Sequence, residues 1–180
     1  MKKTLNIKMI PTSPVKFSSP SVMGSIQELD EGTFGKVDFN VYLPFYNRNL
    51  QRELCWSLKQ KQAFVISILQ NKNLPPLSVN YRYDTDTYEI IDGKQRLSTA
   101  ISFYRNEFPI VIDGEEFFYK DFDEDLAIRY KQFNIKAFTH YDHGDSETHL
   151  TDEKKIAWFL YVNATGTPQQ DAYLEELRNI

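Results

Sequence analysis

The feature that most constrains the fold is a pair of β-rich runs that passes without a linker into a helix. Residues 77–82 and 88–91 are rich in β-branched, aromatic and other apolar side chains, and residues 84–86 between them form a turn signal. The second run ends at Asp92-Gly93, and residues 95–104 then carry apolar side chains at helical spacing. The sequence therefore predicts a β-hairpin whose second strand turns directly into a helix.

The remaining segments mix strand and helix patterns without a regular repeat. Residues 37–43 alternate apolar and polar side chains like a half-buried strand, and Ser57 with Gln60 is a capping box that predicts a helix start. This order predicts an α+β domain, with a small mixed β-sheet and helices packed around it. The further predicted elements are strands over 109–112 and 135–138 and helices over 121–133, 151–161 and 167–178.

The first 36 residues differ in composition from the rest of the chain. Pro11, Pro14 and Pro20 alternate with serines, and glycines follow. Such a segment is typical of an arm or an irregular lead-in. We therefore divide the chain into an arm, residues 1–36, and a domain, residues 37–180, and the arm is a candidate docking segment for a protein partner.

Charge and cysteine content narrow the classes of protein. The formal net charge of −4 argues against a surface that holds nucleic acid by overall charge, although an acidic body can carry a local basic cleft. Cys55 is the only cysteine, so the chain forms no internal disulfide and a reducing compartment is expected. No apolar run approaches the roughly 18 residues that span a bilayer. These features predict a soluble protein of the cytoplasm without a membrane partner.

The turn at residues 92–96 concentrates groups that suit a phosphate. A strand that ends at a helix start directs free N–H groups outward, and Gly93 lets a ligand approach the backbone. Lys94 and Arg96 add positive charge, and Asp92 is a candidate ligand for a divalent metal such as Mg²⁺ or Mn²⁺. The structural alternative is that Asp92 caps the helix and Gly93 only serves the turn.

Three other segments carry polar side chains that have either a structural or a functional role. Gln51 and Arg52 lie in a predicted loop, where functional groups concentrate but where a solvated arginine is also ordinary. Asparagine is unfavourable inside a helix, but the side-chain amide of Asn163 can donate one hydrogen bond to a ligand and accept another. All three histidines fall within residues 140–149 among carboxylates, which indicates either a metal site or a solvated acidic loop.

Several of these segments together resemble a known family, the N-terminal domain of GmrSD-type modification-dependent restriction enzymes. The same domain occurs in phosphorothioate-sensing phage-defence proteins and belongs to the wider ParB/sulfiredoxin-like group. The family hallmark is an Asp-Gly-Gln-Gln-Arg-Leu-Thr-Thr turn, which residues 92–99 match except at Lys94 and Ser98. The resemblance covers residues 38 to 171, and its other matching positions are Gln51-Arg52, Leu54, Trp56, residues 74–77, Phe159, Asn163 and Gly166.

The resemblance implies a ParB/sulfiredoxin-like fold and a site for nucleotide or DNA chemistry. It implies that Arg96 and Lys94 contact phosphates and that Asp92 positions a metal or a water molecule. Gln95 would be a third catalytic residue beside Asp92 and Arg96. It further implies that Gln51 and Arg52 line the same pocket and that Asn163 faces it from the late helix. A nucleoside triphosphate and Mg²⁺ or Mn²⁺ are the cofactors that this reading suggests.

Three functions remain open from the sequence. The first is hydrolysis, as a nucleoside-triphosphate hydrolase or a metal-dependent DNA endonuclease or nickase that uses the turn at residues 92–96. The second is a non-catalytic sensor of a nucleotide or DNA that acts through a partner, and the third is a protein-interaction factor that docks by residues 1–36. Longer relatives carry an HNH nuclease domain. The sequence has no HNH-like constellation, so we expect a stand-alone member from a phage or a mobile element.

Overall fold

A five-stranded sheet organises the structure, a computed structural model that describes residues 13–33, 35–164 and 172–179. Its strands, in spatial order, are β1 (Ser21–Ser25), β9 (Asn134–Asp142), β5 (Leu77–Arg82), β6 (Thr87–Asp92) and β2 (Lys36–Asp38). β1 pairs with β9 and β5 with β6 in antiparallel fashion, whereas β9 pairs with β5 and β6 with β2 in parallel. The sheet is therefore mixed, and the predicted α+β class is confirmed.

Helices and two small hairpins surround this sheet. The helices are α1 (Ile26–Glu31), α2 (Leu58–Leu69), α3 (Lys94–Tyr104), α4 (Glu124–Lys131), α5 (Asp152–Ala164) and α6 (Ala172–Arg178), and a 3-10 turn covers Tyr119–Asp121. The hairpins pair β3 (Tyr42–Leu43) with β4 (Arg48–Asn49) and β7 (Ile110–Ile112) with β8 (Glu115–Phe117).

Strand β6 lies between two hydrophobic cores. Its neighbouring residues Ile90 and Ile91 are both fully buried, but each belongs to a different core. Successive side chains of a strand point to opposite faces, which explains the division. The core around Ile90 includes residues of α1 to α4, and the core around Ile91 includes Trp158 and Phe159 of α5. The turn that follows β6 is consequently fixed from both sides of the sheet.

The local signals of the sequence located the central elements well. The predicted hairpin is β5–β6, and α3 begins at Lys94, one residue before its predicted start. Ser57 caps α2 as predicted: its hydroxyl accepts from the Gln60 N–H at 3.3 Å, and Gln60 Oε1 accepts from the Ser57 N–H at 2.9 Å. Helix α5 begins at Asp152, directly after Thr151.

Two predicted strands have different bounds in the structure. Residues 37–43 do not form one strand, because the chain turns after β2, where the Asn40 N–H donates to Asp38 Oδ1 at 2.8 Å, and resumes as β3. Strand β9 runs from Asn134 to Asp142, well past the predicted end at Phe138, because both of its edges are hydrogen-bonded, to β1 and to β5.

Two of the predicted helices also differ. The predicted helix over 121–133 is shorter, since Asp123 caps a new start and only Glu124–Lys131 is α-helical. Of the predicted last helix the structure describes α6, and the capping box at residues 167–170 lies outside the described residues.

Part of the segment suggested as an arm belongs to the sheet and its core. Residues 21–31 form β1, which pairs with β9, and α1, which follows it directly. Met23, Ile26 and Leu29 are buried in the core beside α3. A partner that docks on residues 1–36 would therefore have to use the remainder of that segment, since these apolar side chains are already covered.

Within the described ranges, no helix combines the length and the apolar character needed to cross a membrane.

Candidate functional site

The turn after β6 is built around a backbone conformation that requires glycine. Gly93 is the N-cap residue of α3 and has φ +108°, a region that L side chains rarely adopt. A Cβ at this position would lie 2.3 Å from Leu77 Cδ2 and 3.2 Å from Arg96 Nη2. Both the dihedral angle and the close approach of β5 therefore exclude a larger residue without rearrangement.

Asp92 is paired with an arginine and does not cap the helix. Its Oδ2 accepts from Arg96 Nη2 at 2.8 Å, one helical turn along α3. The structural alternative of an Asp92 cap is thus not observed, and α3 has no side-chain cap at its N-cap residue. The first N–H groups of the helix remain available to an anion.

The guanidinium of Arg96 is held in place but keeps donors free. Nη1 donates to the carbonyl of Pro75 and, at 3.5 Å, to that of Pro76, while Nη2 donates to Asp92. Three of the five guanidinium N–H groups are therefore used, and two have no acceptor among the described residues. The side chain is 18% exposed. Such a donor is already oriented before a ligand arrives.

Lys94 is buried and already bonded. Its side chain is only 3% exposed, and Nζ donates to Asn40 Oδ1 at 2.8 Å and lies 3.8 Å from Glu53 Oε2. A buried ammonium needs such partners, because an unpaired buried charge is costly. In this geometry Lys94 joins the chain after β2 to the loop before α2.

Gln95 fastens that loop to α3. Its Oε1 accepts from the N–H groups of Cys55 and Trp56 at 3.0 and 3.2 Å, and its Nε2 donates to the Glu53 carbonyl at 3.1 Å. The amide of this side chain thus replaces the partners that the backbone of a loop would otherwise take from water. In the described structure Gln95 organises the site through these three bonds.

The structure brings the Gln-Arg pair next to the turn. Gln51 Nε2 donates to the carbonyl of Ile90 in β6 at 2.5 Å, two residues before Asp92. Arg52 is half-buried and has no hydrogen bond or ion pair within the described part of the chain. Two of the motifs singled out in the sequence therefore form one structural unit, with Arg52 as its unpaired cation.

Asn163 is not joined to this unit by a hydrogen bond in the part of the chain that the structure describes. Its Nδ2 donates to the Phe159 carbonyl one turn earlier in α5, at 2.8 Å. Phe159 packs in the core that contains Ile91, so α5 is close to β6. Gly166 lies outside the described residues.

A cavity of about 480 Å³ opens beside Arg96. It lies between the end of α2, the start of α3, the end of α4 and the start of β9, and Lys72, Arg96, Arg129 and Lys136 line it. No carboxylate of the described residues lines it, although the chain has more acidic than basic residues. No local pattern predicts this cluster, because its members come from four separate segments of the chain and meet only in the fold.

Comparison with known families decides the affiliation. The family described as the N-terminal domain of the GmrSD restriction endonuclease matches residues 33–178. The chain belongs to this family. Its relation to restriction endonucleases assigns the domain a role connected with nucleic acid, and the ParB-like relationship stays a prediction. Comparison with curated proteins and with solved structures found no match.

In this GmrSD N-terminal domain the histidine segment is structural. The His140 ring nitrogens lie 2.6 Å from the Lys16 carbonyl and 2.7 Å from the Thr148 carbonyl, and the His143 ring stacks on Tyr83 at 4.3 Å. Across residues 13–33, 35–164 and 172–179, no group of three or more His, Cys, Asp or Glu side chains is placed to hold a metal. His140 and His143 are thus engaged by hydrogen bonds and ring stacking with other parts of the domain.

The segment folds over a buried carboxylate, Asp142, at the end of β9. Burial tends to raise the pKa of Asp142, but the N–H groups of Gly144 and Leu150 and the nearby His149 outweigh it, so the pKa lies below its usual value. His149 Nδ1 is 3.2 Å from Asp142 Oδ2.

A buried ion pair supports β6 behind the turn of the GmrSD N-terminal domain. Lys155 of α5 lies 2.9 Å from the carboxylate of Glu89, and Asn80 of β5 donates to the same carboxylate at 2.8 Å. All three residues are less than 9% exposed. The pair fixes α5 against β6 three residues before Asp92, which holds the end of the strand in place.

Proposed function

We propose that this domain hydrolyses a phosphate linkage at the turn of residues 92–96, either the phosphoanhydride of a nucleotide, as a nucleoside-triphosphate hydrolase, or the phosphodiester of DNA, as a metal-dependent endonuclease or nickase. The observation that carries the proposal is the position of Arg96. Its guanidinium is anchored by Asp92 and Pro75, keeps two N–H groups free, and lies on the wall of a cation-lined cavity. Membership of a restriction endonuclease family supports a nucleotide or DNA as the substrate.

The proposed roles follow from the contacts of each side chain. The free N–H groups of Arg96 and of the first turn of α3 bind phosphate oxygens, and Gly93 allows the phosphate to approach the backbone. Asp92 Oδ1 has no hydrogen bond in the described structure, so it can orient a water molecule. Lys94 and Gln95 hold the surrounding loops. Asn163 does not line the cavity beside Arg96, so a contact from it to the ligand would come from the α5 side of β6.

A divalent metal fits this arrangement only together with the substrate. Mg²⁺ is commonly bound by one or two carboxylates with substrate phosphates and water, so Asp92 alone is a sufficient protein ligand. Bound there, Mg²⁺ or Mn²⁺ would supply Lewis-acid stabilisation of the phosphate charge. Arg52, unpaired beside the turn, is the candidate for a second phosphate contact from the protein.

The test compares the wild-type chain with Arg96→Lys and Arg96→Ala on the four ribonucleoside triphosphates and on supercoiled plasmid, each with Mg²⁺ or Mn²⁺. Arg96→Lys keeps the positive charge but loses the planar guanidinium that binds two oxygens at once, so phosphate release or nicking should fall at least tenfold. Arg105→Ala is the matched control, because Arg105 is in the turn at the end of α3 and, within the described residues, pairs only with Asp30. Undiminished turnover by both Arg96 variants would refute the proposal.

A non-catalytic sensor of nucleotide or DNA is the second candidate. It is favoured by the pairing of Asp92 with Arg96 and by the structural use of Lys94 and Gln95, which leave few groups for chemistry. Arg96-dependent binding without turnover of any substrate would establish it, and multiple turnovers by the purified chain would exclude it.

A protein-interaction role through residues 1–36 stays a third prediction. Its test is a deletion that spares β1 and α1, because removal of their core residues would unfold the domain. The hydrolase and the sensor functions would place the chain with nucleic acid in the cytoplasm of a bacterial or phage-infected cell.

A further inference from the structure

Besides Arg96, three further basic side chains line the cavity, and none of them belongs to the turn at residues 92–96. Lys72 follows α2, Arg129 lies in the last turn of α4, and Lys136 lies in β9. None of the three has an ion pair or a side-chain hydrogen bond within the described residues, and all three are exposed. Cations that converge on one cavity without counter-charges raise its positive potential and attract an anion.

The rest of the lining suits a base and its sugar. Phe64 and Phe133 are half-buried aromatic side chains on the cavity wall, where a base can stack. Amide side chains, which can both donate to and accept from a base edge, stand at its rim; they are Asn71, Asn73, Gln132 and Asn134. The volume of about 480 Å³ is in the range of small-ligand pockets.

We infer that Lys72, Arg129 and Lys136 form a second phosphate-binding element, which holds phosphate groups of a nucleotide in the cavity that Arg96 also lines. The inference rests on the proposed function in one respect: the phosphate that reacts would be bound by Arg96, and the other phosphates by these three cations. The same phosphate chemistry is offered by a free nucleoside triphosphate and by a DNA strand, which the experiment separates.

The experiment measures binding by fluorescence anisotropy of a labelled 16-nucleotide single strand to the full chain, over a series of salt concentrations. The variant is Lys72→Ala/Lys136→Ala, and the control is Lys120→Ala/Lys154→Ala, which removes the same charge from exposed positions that do not line the cavity. Each lost phosphate contact lowers the slope of log affinity against log salt by about 0.7 for a single strand.

Two lost contacts should therefore reduce the magnitude of the slope by about 1.4. If the variant and the wild type bind equally at 1 M salt, the variant should then bind about 25-fold more weakly than the wild type at 0.1 M. The control should keep the wild-type slope. Competition with ATP and GTP then identifies the source: displacement of the strand by either nucleotide assigns the cavity to free nucleotides, and retention assigns it to the strand.

The inference is overturned if the cavity variant keeps the wild-type affinity and slope for the strand and for both nucleotides. It is equally overturned if the control variant loses as much as the cavity variant, or if the wild type binds none of these probes. Its failure is distinct from that of the proposed function, because turnover is measured with the Arg96 variants. Salt-dependent binding through Lys72 and Lys136 without turnover would retain the cavity and reject the hydrolase.

Discussion

Replacement of Gly93 by alanine tests how tightly the turn is built. The backbone there has φ +108°, and the added methyl group would lie 2.3 Å from Leu77 Cδ2. A side chain in a left-handed conformation costs about 1–2 kcal/mol, and overpacking of a filled core costs about 1–3 kcal/mol. Gly93→Ala should therefore lower the free energy of unfolding by about 2–5 kcal/mol, a large part of the ~5–15 kcal/mol typical of a domain.

Gly114→Ala separates the two contributions. Gly114 has φ +86°, in the turn between β7 and β8, but a Cβ there would meet no atom within 4 Å. This variant should lose only the conformational part, about 1–2 kcal/mol. The assay is urea unfolding followed by tryptophan fluorescence, to which the buried Trp158 and the half-buried Trp56 contribute, with the slope of the transition compared among the proteins.

Equal losses for Gly93→Ala and Gly114→Ala would refute the steric part of the reasoning. A further check is the double variant Gly93→Ala/Leu77→Ala. Because the shortened Leu77 side chain removes the clash, the double variant should be more stable than the sum of the two single losses predicts. Additive losses would show that the methyl group and Leu77 do not meet.

Three further predictions concern the surroundings of the turn. Lys155→Met removes the closest cation from the buried Glu89 carboxylate and leaves Arg82 Nη1, 3.8 Å away, as its ion-pair partner among the described residues. It should cost up to about 3–5 kcal/mol in urea unfolding, much of which a Glu89→Gln/Lys155→Met double variant should restore. Gln95→Ala removes three bonds to the loop before α2, so hydrogen exchange at the Trp56 amide should become faster while that of the α3 core is unchanged. The pKa of Asp142 is lowered on folding, so its stabilising effect is complete above the usual aspartate value of about 4 and is lost as pH falls through the lower folded value. The stability advantage of wild type over Asp142→Asn should accordingly shrink on acidification below pH about 4, and a constant advantage would contradict the assignment.

The sequence predicted those parts of the fold that are determined by neighbouring residues. The hairpin β5–β6, the turn at Gly93 and the cap at Ser57 depend on side chains a few positions apart, and their positions agree with the structure. The full length of β9 was not predicted, because its end is stabilised by pairing with β5, which lies far from it in the chain. Propensity describes a strand poorly where neighbouring strands decide it.

The candidate site was predicted only in part, because some of its contacts join sequence neighbours and others join residues far apart in the chain. The cluster at residues 92–96 was visible because its charges are adjacent in sequence. The bond of Lys94 to Asn40, however, crosses 54 positions, and that of Gln95 to Cys55 in the loop before α2 crosses 40. The cavity cations Lys72, Arg129 and Lys136 have no common local pattern. Only the folded chain brings them to one place.

The position of β9 also governs the order in which the chain can fold. In the sheet it lies between β1 and β5, but it is synthesised roughly fifty residues after β5. Until Asp142 has left the ribosome, β1 has no partner strand and the inner edge of the β5–β6 hairpin is open. Long-range pairing of this kind slows folding, and open strand edges promote association between chains. Substitutions in β9 therefore act on the yield of folded protein during synthesis as well as on its stability afterwards.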